Sequence, residues 1–165
     1  MTLEYSNVLE IMAEVSITLA GFIGVILVFQ RGDRGSWHSS EKNTMFHLLY
    51  TSLGALGLSL LPLLIQAGFN ESITIWRICC PILGFVHAGG STRALLEIKR
   101  DDSAIPHHAI YLLSAGSLAF LLLTLTIMLG HLQNFAALVY LLGLGWLMSV
   151  AITAYVTLLF RGAPE

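Results

Sequence analysis

Long apolar runs broken by short polar links set the pattern of this chain. Five runs stand out: Val8–Phe29, Met45–Phe69, Ile73–Ile98, Ala109–Gly130 and Phe135–Phe160. Each reaches the roughly 17–25 residues that a helix needs to cross the hydrocarbon core of a bilayer. Strict two-residue alternation is missing, so barrel strands do not fit. A backbone in lipid must satisfy its polar groups internally, which leaves helices. The pattern therefore predicts an all-α integral membrane bundle, a single domain with five transmembrane helices. Punctuation at the ends agrees with this division. Asn7 with Glu10 has capping-box spacing ahead of the first run. Gly68, Gly130 and Gly162 fall where helix carboxyl ends are expected. Pro62 and Pro81 are expected to kink the second and third helices.

The links give the bundle an orientation. Arg31, Arg34 and Lys42 lie between the first two runs, Arg93, Lys99 and Arg100 at the end of the third, and Arg161 after the fifth. The other two links, Asn70–Ser72 and His131–Asn134, hold no Lys or Arg, and only Arg77 falls on their side. Basic residues mark the cytoplasmic face. The expectation is an amino terminus outside and a carboxyl terminus in the cytoplasm. Glu4 and Glu10 stand where a signal peptide would carry basic residues, so a retained first span is expected.

Composition sharpens the class. Apolar residues make up 56% and charged residues only 11% of the 165, where soluble domains carry about 25% charge. Disorder is excluded. With 8 Lys and Arg and a net charge of −2 there is no basic face for nucleic acid. The links are too short for a tethered catalytic domain. No P-loop, G-x-S-x-G or H-E-x-x-H motif occurs. Lys42 and Lys99 lie outside the apolar cores, so no retinal Schiff base is available, and Asp33, Asp101 and Asp102 lie in links, so there is no buried aspartyl protease pair.

Ionisable groups inside the apolar runs are then the best functional evidence, because each costs about 2.5–3.5 kcal/mol near the bilayer centre. Glu10, Glu14, Thr18, Gly21, Val25 and Val28 fall on one stripe of the first helix at about 100° per residue. Two readings fit it. The stripe lines a water-filled path, with Glu14 and Thr18 facing water. Alternatively it is a close helix contact, with Gly21 and Gly24 admitting a neighbour; Gly54 and Gly57 offer the same on the second helix. Arg77 is within reach of Glu10, Glu14 or Glu71 as a structural pair, or serves as an anion clamp. Arg93 and Glu97 have the spacing of an interfacial ion pair.

Histidine and cysteine add little beyond this. His87 shares a face of the third helix with Cys80, Gly84, Ser91 and Ala94. It is either a proton relay or a buried imidazole donating to a carbonyl. His47, His107 and His108 gather at the cytoplasmic end but lack haem or metal spacing, so no cofactor and no metal is expected. Adjacent Cys79 and Cys80 read as small packing residues.

The segments "EVSITLAGFIGVILVF" (Glu14–Phe29), "SLGALGLSLLPLLI" (Ser52–Ile65) and "IWRI" (Ile75–Ile78), with a basic link after the first, resemble a group of small multi-span bacterial membrane proteins of unassigned function. The resemblance covers the first three spans and implies a bacterial inner-membrane location. It implies no activity or site residue. The functional expectation is an oligomeric ion or small-solute channel with Glu14, Thr18, Arg77 and His87 on its polar path. The alternative is a structural or regulatory subunit packed on a partner membrane protein, with Glu14 and Arg77 as a structural pair. The expected surroundings are a lipid bilayer and further copies of the same chain.

Overall fold

The computed structural model describes residues 5–33, 39–68, 72–99 and 107–161. These form α1 (Ser6–Asp33), α2 (Ser39–Gln66), α3 (Ser72–Lys99), α4 (His107–Met128) and α5 (Ala136–Arg161), with one turn of 3-10 helix, Gln133–Phe135, leading into α5. No strand occurs among the described residues. All five expected runs are helices, and most boundaries move by no more than three residues. The exception is the first link, where α1 runs on to Asp33 and α2 begins at Ser39.

The helix ends show where local rules held. Gly130 has φ +91°, its N–H donates to the Ile127 carbonyl at 3.0 Å, and the His131 N–H donates to the Thr126 carbonyl at 3.0 Å. This paired closure is the Schellman arrangement, which needs a left-handed residue at the glycine. The capping box does not form. Tyr5, at φ 76°, starts α1, its carbonyl accepts the N–H groups of Val8 and Leu9, and Asn7 lies inside the helix. The expected Gly162 cap, the Glu71 side chain and the Glu97 side chain lie outside the described residues.

The helices run up and down, with α2, α3 and α5 mutually packed at the centre. α1 flanks the bundle on the α2 side, and α4 flanks it on the α3 side. The two ends of the bundle are built differently. The end where α1 starts and α2 finishes holds large side chains, among them Leu9, Leu58, Trp76, Leu83, Tyr140 and Leu144. Trp76 and Tyr140 meet there with ring centroids 5.5 Å apart. The opposite end, where α5 finishes, has a smaller cluster of Leu48, Ala94, Ile110, Ala151 and Ala154. Alanines fill less space than rings, so this half of the bundle is where a void can persist.

Both helix-internal prolines are carried within continuous α-helix. Pro62 lacks an N–H, so the Leu58 carbonyl loses its helical donor. The Tyr140 hydroxyl donates to that carbonyl at 2.6 Å from α5. A neighbouring helix thus re-satisfies the group that the proline left open.

Among the described residues, three segments are long and apolar enough to cross a membrane: Met45–Gln66, His107–Met128 and Gln133–Thr157. α1 and α3 are 28 residues long each; α1 carries Glu10 and Glu14, and α3 carries Arg77, His87 and Arg93. The protein is therefore an all-helical bundle with helices suited to a lipid bilayer.

Candidate functional site

Two groups of polar side chains concern a site, one on the outside of the bundle and one within it. The outside place is α1. This helix buries Leu9, Ala13 and Ser16 and leaves Glu10, Glu14, Thr18, Gly21, Gly24 and Val25 exposed. The Thr18 hydroxyl donates back to the Glu14 carbonyl at 2.8 Å, a bond internal to the helix. A Cβ added at Gly21 or Gly24 would meet nothing within 4 Å. The stripe from Glu10 to Val25 therefore faces away from the chain's own helices, and the Val28 side chain lies outside the described residues. Gly57 is likewise open, whereas Gly54 does sit in a helix contact, with Val86 and Leu147 under 4 Å from such a Cβ.

Arg77 lies elsewhere. α1 packs on α2 and touches α5, while α3 packs chiefly on α4, so Glu14 and Arg77 stand on helices that do not meet broadly. Arg77 is exposed and turns to Gln133. With the amide oriented to accept, its oxygen lies 3.2 Å from Nε and 2.7 Å from Nη2. This fork ties the start of α3 to the link between α4 and α5. Arg93 instead lies over the Phe46 ring, 3.8 Å from its centroid, joining α3 to α2.

His87 is inside and fully engaged. It is 1% exposed, and its Nε2 lies 3.1 Å from the Gly143 carbonyl oxygen. A carbonyl only accepts, so Nε2 carries the proton and Nδ1 is left to accept. The Ser117 hydroxyl, 3.3 Å from Nδ1, is the matching donor. Phe120 stacks on the imidazole at 5.5 Å with planes 19° apart. One side chain of α3 thus joins α4 to α5, and the geometry is that of an imidazole donating to a carbonyl.

Next to His87 a cavity of about 40 Å³ opens between α2, α3, α4 and α5. His47, Thr51, His87, Ser91, Ser114 and Ser117 supply its polar lining. Thr51 closes on its own helix, donating to the His47 carbonyl at 2.9 Å. His47 Nε2 and Ser91 Oγ are buried without a hydrogen-bond partner among the described residues. A buried polar atom left open costs about 1–3 kcal/mol. Two of them at one void are therefore a pointed observation. His107, His108 and His131 are exposed, so they do not join His47. Among the described residues no cluster of three or more metal-ligating side chains occurs.

The close helix contacts fall at glycines that run-counting does not single out as contacts. A Cβ at Gly84 would collide with Thr124 Oγ1, and one at Gly116 with the Trp146 ring. At Gly143 it would lie 2.6 Å from Leu83 Cδ2. The legible signal was the shared face of Cys80, Gly84, His87, Ser91 and Ala94 on α3. Its partners Ser117, Gly116, Gly143 and Trp146 gave no comparable pattern.

No model of a known protein family, no curated protein and no solved structure matches this chain.

Proposed function

We propose that the protein is a five-span protein of a bacterial inner membrane, amino terminus outside and carboxyl terminus in the cytoplasm. It works as a homo-oligomer in which α1 of each copy borders a path for an ion or small solute. One observation carries this reading: Glu14 and Thr18 lie exposed on the outer face of α1, in line with the open Gly21. A carboxylate facing hydrocarbon costs about 2.5–3.5 kcal/mol. Water or another polypeptide at that face removes the cost, and small residues let a second helix approach. Within one chain the large core side chains fill one end of the bundle and His87 is engaged, which favours a path at the boundary between chains.

Proteoliposomes test the reading. Ion or solute flux above that of empty vesicles is expected, with Glu14→Gln lowering it severalfold. No flux under any gradient or voltage, together with co-purification of a partner in fixed ratio, favours the other role for the same face. That role is a structural or regulatory subunit. Two interhelical locks, Arg77 to Gln133 and His87 to Ser117 and Gly143, support it by making the chain a rigid scaffold.

A further inference from the structure

The geometry points to the cavity between α2, α3, α4 and α5 as a binding site for a small neutral hydrogen-bonding molecule, water or a solute of similar size such as ammonia or methanol. Size sets the first limit. At about 40 Å³ the void takes roughly two or three water molecules, or one solute of as many heavy atoms. Chemistry sets the second. Among the described residues the lining holds no acidic residue, lysine or arginine, so none of them pairs with an ion. It does hold two polar atoms with open valences, His47 Nε2 on α2 and Ser91 Oγ on α3. His47 is 93% buried, since 7% of it is exposed, so bulk water does not satisfy it. A guest that both donates and accepts can serve the imidazole nitrogen and the hydroxyl together. Purely apolar voids stay dry, whereas a polar void with two or more partners retains its guest.

Position adds meaning. His47, Ala94, Ile110 and Ala154 place the cavity in the half of the bundle nearest the basic links. His87 and Ser117 form its deeper wall, already bonded to each other. The guest thus joins the α2–α3 seam to the packed centre. This site is independent of the α1 face and stands whether or not that face borders a path.

The test uses the full chain in lipid vesicles with isotope-labelled histidine. Solid-state magnetic resonance reads magnetisation transfer from mobile protons to His47 Nε2, first in buffer and then with labelled methanol or ammonia added. The expected result is clear transfer to His47, lowered severalfold by Ser91→Val, which fills the void and removes the hydroxyl. Ser91→Ala, with less bulk, lowers it less and guards against misfolding of the valine variant. Transfer that neither solute alters assigns the guest as water. A saturable shift of the His47 signal with one solute assigns that solute. A His47 signal with no transfer and no response to either solute overturns the proposal, and a higher melting temperature for Ser91→Val than for wild type then marks the void as dry.

Discussion

Tyr140 shows how one side chain decides whether a helix tolerates its proline. The hydroxyl on α5 donates to the Leu58 carbonyl at 2.6 Å, and that carbonyl is open only because position 62 is proline. Tyr140 is 0% exposed, so water cannot take over. Removing the hydroxyl leaves a buried acceptor unpaired, at a cost of about 1–2 kcal/mol. Tyr140→Phe is expected to lower stability by that amount in denaturant unfolding of the detergent-solubilised protein. Pro62→Ala gives the Leu58 carbonyl a backbone donor again. In that background Tyr140→Phe should cost clearly less, and the double-mutant cycle measures the difference. Equal costs in both backgrounds would mean that the hydroxyl matters for packing alone. His87 follows the same logic with a different outcome, because both its nitrogens are already served from α4 and α5.

At the scale of helices, two sets of glycines have opposite meanings. Gly116 lets α5 come so close to α4 that Trp146 occupies the space of a missing side chain, and the indole N–H reaches the Leu113 carbonyl at 3.3 Å. Gly116→Ala forces the ring away and breaks that bond. Overpacking of this kind costs about 1–3 kcal/mol, more than the ~1 kcal/mol that alanine gains over glycine in a helix. Gly21→Ala meets nothing within the chain, so only the helix gain applies and the single chain keeps or raises its stability. Melting of the two variants should therefore shift in opposite directions, and only Gly21→Ala should change apparent size in detergent. The apolar runs made the five helices legible, and a glycine in the last link marked the Schellman end of α4. The glycine contacts were not legible. Small residues abound along every run, and which of them face a neighbour depends on helix rotation, which a run of leucines on all sides does not specify. Asn7 misled for a related reason: a capping signature was present, but the helix had already begun at Ser6.

The number of membrane crossings is a property of the whole molecule, and packing bears on it. α2, α4 and α5 contain the three segments apolar enough to cross. α3 is less apolar, yet it supplies Cys79, Cys80 and Leu83 at 0% exposure and holds His87 between α4 and α5. It cannot part from its neighbours without exposing those groups. α1 lies at the flank and carries Glu10 and Glu14, so its placement decides where the acidic stripe lies. The stripe of polar positions was visible in the sequence, but its outward direction was not, because a period of 3.6 residues defines a face without saying what the face meets. Helices in up-and-down order make the consequence simple. With α2 to α5 all crossing, the two termini lie on opposite sides if α1 also crosses and on the same side if it lies along one surface. Tyr5→Cys and Ala163→Cys variants, labelled in intact cells with a membrane-impermeant maleimide, read this directly. The native Cys79 and Cys80 are fully buried and shielded from the reagent. Labelling at Tyr5→Cys without labelling at Ala163→Cys is the expected result. It follows from burial of Leu9 and Ser16 at 0% exposure against the bundle, which holds α1 alongside helices apolar enough to span. Protection of both sites, or labelling of both, would place the acidic stripe at a membrane surface and remove the basis for a path along it.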